Sequence, residues 1–266
     1  MRFGGAVETV QKAGQMLLEE FGQQLQISQE DERSERETTY DSLSFDMICQ
    51  GLESYYPQDA LIGERGKRVL DKRSKRIWVI DPICGSIPFS RGIADFIISV
   101  ACISKSLNLL VGIVFDPVRD ELFYAEVGEG SFLNNQPIKV SALKSATELK
   151  NRGMISVEHK MIRENKYNSS VIALSREVAR LRVASTCGLE LAYLACGRLD
   201  AALKAKQPLY DYAAGLIILQ EAGGKATDFE GRPLRVELSY QKVTDILASN
   251  GEAEIHQLIV NHFLQP

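Results

Sequence analysis

The apolar spacing changes character twice along the chain, and that order restricts the architecture more than any single residue does. Val7, Val10, Gly14, Leu17, Leu18 and Phe21 recur at helical intervals and predict an opening helix. Residues 28 to 40 carry almost no apolar side chain and read as a solvated loop. Phe45, Ile48, Cys49, Leu52 and Tyr55 then share one helical face, with Asp41 and Ser42 at its start, where capping groups belong. Strands follow at 60–63, at 77–80 ending on Asp81-Pro82, and at 95–103, 109–115 and 121–127, with a hairpin region at 128–138. The second half alternates strands at 154–158, 181–184, 199–203 and 246–249 with helices at 160–179, 189–197, 211–222 and 252–263. The helix at 211–222 has an Asp start and a Gly223-Gly224 stop. Helices, then strands, then alternation predict stacked layers of an α+β protein.

At 266 residues the chain suits a single domain of two closely packed halves, roughly 1–145 and 146–266. A hydrophobic share of 45% with 25% charged residues excludes wholesale disorder. Lys and Arg number 31 against 35 Asp and Glu, so the net charge is −4. An acidic chain is a poor match for a nucleic acid polymer, whose phosphates attract basic surfaces. No apolar run approaches the ~20 residues of a membrane span, and the N-terminus lacks the apolar core of a secretory signal. The expectation is a cytoplasmic protein that does not engage a membrane. The five cysteines, Cys49, Cys84, Cys102, Cys187 and Cys196, form no CxxC pair and read as reduced thiols.

Three acidic positions stand beside strong backbone punctuation: Glu64 after Gly63, Asp81 before Pro82-Ile83-Cys84-Gly85-Ser86, and Asp211 at a helix start. Carboxylates at strand ends and helix starts can converge, and oxygen donors of that kind suit Mg²⁺. The Gly85-Ser86 backbone could hold a phosphate at the start of a helical turn. Metal and phosphate together would fit metal-assisted hydrolysis of a phosphate ester. Each feature also has a plain structural reading: an N-cap at Asp211, a turn at Asp-Pro, a surface ion pair at Glu64. His159, His256 and His262 pair at no metal-ligand spacing and read as surface or capping residues.

Taken in order, these segments resemble the inositol monophosphatase family. That family carries D-P-(L/I)-D-G-(T/S) after a W-(V/I)-(I/V) strand, a later W-D-x-A-A-G…E-A-G-G, and upstream G-E-E and T-x-x-D segments. Here they read WVIDPICGS (78–86), YDYAAGLIILQEAGG (210–224), GER (63–65) and TTYD (38–41). LRVASTCGLELAYLACGRLDAAL (181–203) resembles the family's R-x-x-G-S-A-A region. The resemblance implies a layered αβαβα sandwich, usually homodimeric, that hydrolyses phosphomonoesters with metal-activated water. It implies that Glu64, Asp81 and the Ile83 carbonyl hold Mg²⁺ and that Asp211 holds a second metal. Asp41 and Ser86 would orient and deprotonate the attacking water, and Gly85 and Ser86 would hold phosphate oxygens. It also implies that 28–40 acts as a mobile loop over the metals.

The chain departs from the pattern at Cys84, where the family has its second aspartate. A thiol is a soft, poor ligand for Mg²⁺. Arg65 replaces the second Glu of G-E-E and removes another carboxylate. Lys204, seven residues before Asp211, replaces a Glu that accepts bonds from inositol hydroxyls. A lysine cannot accept one. It either points into solvent or favours a substrate with a second anionic group. With Thr186 and Cys187, these three residues form a candidate substrate pocket. A C-x5-R phosphatase loop is not formed, since six residues separate Cys84 from Arg91. The expected function is Mg²⁺-dependent hydrolysis of a small phosphorylated metabolite, either inositol monophosphate-like or a sugar or nucleotide phosphate with a second anionic group. Metal sites would be fewer or weaker than the family norm. The alternative is a non-catalytic relative that binds a phosphorylated ligand or a partner.

Overall fold

A computed structural model of the chain describes residues 2–24, 30–64, 66–68, 74–239 and 242–264. Helices α1 (Gly4–Gln24) and α2 (Glu30–Tyr55) open it. Ala6, Val10, Ala13 and Leu17 of α1 recur every three or four residues and pack on Ile48, Cys49 and Leu52 of α2. The loop expected at 28–40 is replaced, from Glu30 onward, by the first turns of α2. Residues 28 and 29 lie outside the described residues. That polar stretch holds no Gly or Pro and is rich in Glu and Arg, so its helix propensity prevails without an apolar stripe. Asp41 is therefore a buried position inside a helix, and not a cap.

Strands β1 (Ala60–Gly63), β2 (Gly66–Arg68) and β3 (Arg76–Cys84) follow, then a short helix α3 (Ser86–Ser90). An antiparallel run continues through β4 (Ile97–Ser104), β5 (Leu109–Asp116), β6 (Glu121–Glu126), β7 (Gly130–Leu133) and β8 (Gln136–Pro137). Asn134 and Asn135, both at positive φ, make the two-residue turn that closes the last hairpin. These strands form one sheet in the order β2-β1-β3-β4-β5-β6-β7-β8, with β1 parallel to β3. After it come α4 (Ala146–Arg152), β9 (Met154–Val157), α5 (His159–Arg163), α6 (Asn165–Ser175), β10 (Arg180–Val183) and α7 (Cys187–Ala195). The chain ends through β11 (Ala201–Gln207), α8 (Leu209–Glu221), β12 (Lys225–Thr227), β13 (Thr244–Ser249) and α9 (Ala253–Leu264). The second sheet runs β10-β9-β11-β13-β12. The helix expected at 160–179 is two helices, α5 and α6, parted by extended backbone at Glu164, whose carboxylate accepts from Lys206 Nζ at 2.7 Å.

Strand alternation sorts the core into layers. Trp78 and Ile80 of β3 pack against α1 and α2, whereas Ile77 and Val79 face α7 and α8. On the second sheet Ala202, Ile246 and Ala248 face the same helix pair, while Leu203 and Leu247 face Leu149, Tyr167, Ile255 and Ile259 of the outer helices. The result is the layered αβαβα sandwich, with α7 and α8 between the sheets. Small residues permit that fit: a Cβ on Gly112 of β5 would overlap the Ala214 carbonyl oxygen, and one on Gly215 would stand 2.9 Å from the Gly188 carbonyl oxygen of α7. Among the described residues no helix is long and apolar enough to cross a membrane.

Candidate functional site

The site begins at an irregularity in β3. The strand does not end at Asp81-Pro82 but continues to Cys84. Pro82 has no N–H to give the ladder, and the register slips there: Asp81 lies opposite Ser99, yet Cys84 lies opposite Ile97. Three steps on β3 thus match two on β4, which is a bulge. In an unbroken strand Asp81 and Cys84 would point to opposite faces. The extra residue turns both toward α7 and α8, while Ile83 packs on the α1–α2 side. Gly85 follows at φ +97, where an added Cβ would stand 2.5 Å from the Asp95 carbonyl oxygen. Only glycine fits there. The turn leads into α3 with Ser86 as its first residue.

Asp211 arrives from the other side. It is not the cap of α8: Pro208 holds that position, and Asp211 lies in the first turn. The close seating of α8 on β5, and a hydrogen bond from Ser99 Oγ to the Tyr210 carbonyl at 3.4 Å, fix that turn over β4. Asp81, Cys84 and Asp211 converge so that one ligand atom from each lies within 4.8 Å of the others. Ser44 Oγ of α2 donates to the Pro82 carbonyl at 3.0 Å, and Asp41 lies one turn earlier on the same helix, buried. Gly63 pairs with Ile80 across parallel strands, which brings the exposed Glu64 alongside Asp81.

The electrostatics of this cluster are those of crowded anions. Burial first, then the charges of Asp211 and Glu64, push the Asp81 carboxyl well above the usual carboxylate range. Burial and Glu64 push Asp211 up to about 7. Asp81 Oδ1 is shut off from solvent with no hydrogen-bond partner among the described residues. An orphaned buried oxygen among carboxylates is what a cation would satisfy. The oxygen donors Asp81, Asp211 and Glu64 fit Mg²⁺. Cys84 does not. Burial, Asp81 and Asp211 drive its thiol well above its ordinary pKa, opposite to what a thiolate nucleophile needs.

The other sequence candidates divide. Thr186 and Cys187 are buried at the start of α7; Thr186 Oγ1 reaches Asp95 Oδ2 at 3.5 Å, and Cys187 is a thiol raised by burial. Arg65 lies outside the described residues. Lys204 does not point into solvent. It shares the inner face of β11 with Ala202 and is 0% exposed, donating to the Ala184 carbonyl at 2.7 Å and standing 4.0 Å from Glu158 Oε2. Sequence reasoning missed Glu158, a buried carboxylate at the end of β9 that also acts on Asp211. Its placement after a strand is the same signal that singles out Glu64. It also missed the Arg182 bridge to Asp95 and to buried Glu190. His256 is neither a surface nor a capping residue. Thr227 Oγ1 donates to the Asp228 carbonyl and so accepts from Nε2, leaving Nδ1 to accept from Ser249 Oγ.

The sequence profile of the inositol monophosphatase family matches residues 3–265. The chain is 32% identical over 239 residues to an inositol-1-monophosphatase of Rhizobium meliloti, covering 85% of this chain and 84% of that one. It is 32% identical over 228 residues to the Nus factor SuhB of Xylella fastidiosa, covering 85% and 81%. Inositol monophosphatase II of Staphylococcus aureus superposes with a TM-score of 0.83 at 26% identity, covering 99% of this chain and 95% of that one.

Proposed function

The chain belongs to the inositol monophosphatase family, metal-dependent phosphatases of small phosphorylated substrates, and from that we propose that it hydrolyses a small phosphate monoester at the Asp81–Asp211 cluster with Mg²⁺ or a related divalent cation. The observation that carries this reading is the convergence of Asp81 and Asp211 around the unpartnered Asp81 oxygen. Glu64, Asp81, the Ile83 carbonyl and Asp211 would hold metal, which when bound supplies charge stabilisation and an acidified water. Asp41 and Ser86 are assigned to orient the attacking water and take its proton. The start of α3, at the flanking Gly85 and at Ser86, is assigned to the phosphate oxygens. Attack forms the new P–O bond as the ester P–O bond breaks, and the alcohol leaves with a proton.

The substrate is open between an inositol monophosphate and a sugar or nucleotide phosphate with a second anionic group. Lys204 gives the second class no direct contact, because its ammonium is buried against Glu158. The reading takes the protein to be cytoplasmic and a homodimer, the latter checked by light scattering. Phosphate release from a panel of monoesters, with divalent cations titrated, tests the activity. Turnover that disappears in Asp81→Asn supports it, and an inert protein across substrates and cations sinks it. Cys84 favours one other reading, a scaffold that binds a phosphorylated ligand or partner without turnover. One relative carries the name Nus factor SuhB. Binding of inorganic phosphate without hydrolysis would favour that reading.

A further inference from the structure

We propose that Asp81, Cys84 and Asp211 form a divalent-metal site that selects a softer cation, of the zinc or cobalt class, over Mg²⁺, with the Cys84 sulphur as the selecting ligand. The three ligand atoms already lie within 4.8 Å of one another. Asp81 is 2% exposed, and its Oδ1 is unpartnered among the described residues. The mixed donor set is decisive. Two carboxylate oxygens alone would serve Mg²⁺, but a sulphur donor binds zinc-class ions far better than it binds magnesium.

The site is also built on fixed backbone. Cys84 faces Asp211 only because of the bulge at Pro82, and Gly85 locks the following turn against Asp95. Asp211 is held by the glycine-mediated seating of α8. Rigid placement of this kind limits how far the ligands can rearrange to suit a different ion. Binding exchanges the Cys84 S–H proton for the metal: the S–H bond breaks, the sulphur pair forms the metal bond, the proton leaves to solvent, and no electron is transferred. Cys187, the next buried thiol, lies outside the ligand cluster and serves as the internal control.

The inference deepens the proposed function but is read independently of turnover. Co²⁺ titrated into the metal-stripped protein should give a near-ultraviolet thiolate-to-cobalt charge-transfer band. Zn²⁺ should abolish the band by displacement, and Mg²⁺ in large excess should leave it. Cys84→Ser should lose the band with its circular dichroism unchanged, and Cys187→Ser should keep it. No band in the folded wild type, a band that survives in Cys84→Ser, or displacement by Mg²⁺ overturns the proposal. If Cys84→Ser fails to fold, zinc-edge X-ray absorption of the wild type decides: one sulphur among oxygen ligands supports it, and an all-oxygen shell overturns it. Phosphate release under Mg²⁺ with no band defeats this inference and leaves the proposed function standing. A band with no phosphate release under any cation does the reverse.

Discussion

Lys204 Nζ stands 4.0 Å from Glu158 Oε2, and both side chains are shut away from solvent. Taking one member of a buried pair away strands the other, at a cost of about 3–5 kcal/mol. Lys204→Met should therefore lower stability by that amount in urea unfolding, and Lys204→Met with Glu158→Gln should recover most of it. A single variant as stable as the wild type would show that the pair is not coupled.

The contact of β5 with α8 leaves no room for a side chain at Gly112. Gly112→Ala should destabilise by roughly 1–3 kcal/mol, the range for an overpacked core. Because α8 carries Asp211, phosphate release should fall by more than the folded fraction does. Equal losses would mean that Asp211 is not positioned through this contact.

His256 is fully bonded as a neutral ring, and burial lowers its pKa from 6.5 to about 4. The unfolded chain binds the extra proton between those values, so stability is present above pH 6.5 and is lost as pH falls toward 4. The shift corresponds to about 3 kcal/mol. Melting temperature followed over this window should drop more steeply in the wild type than in His256→Asn. Parallel curves would show that His256 does not set the acid limb of stability.

Asp211 moves the opposite way, from 3.8 to about 7. In the metal-free protein this carboxyl stays protonated above the pH at which the unfolded chain ionises, so stability falls as pH rises from about 4 to about 7. The shift corresponds to about 4 kcal/mol. An added divalent cation should raise the melting temperature more at pH 8 than at pH 6, because protons no longer compete. Asp211→Asn should flatten both responses.

The layers and the acidic positions were legible in the chain because they follow from local periodicity and motif. The strand at 77–80, the Gly223-Gly224 stop and the strand at 60–63 all depend on near neighbours. What was not legible depends on tertiary contact. The helix through residues 30–40 lacks any apolar stripe, so periodicity could not announce it. The bulge at Pro82 reverses the parity of Cys84, and only pairing with Ile97 reveals it. The burial of Lys204 follows from its place beside Ala202 on the inner face of β11, which a lysine taken alone does not suggest.

Cys84 sets the Asp81–Cys84–Asp211 cluster apart from an all-oxygen Mg²⁺ site. The most direct measurement is the Mg²⁺ dependence of phosphate release in the wild type and in Cys84→Asp. Restoring the oxygen donor should lower the Mg²⁺ concentration for half-activity by on the order of tenfold or more, as changes around metal ligands commonly do. Superimposable Mg²⁺ curves for the two proteins would contradict this.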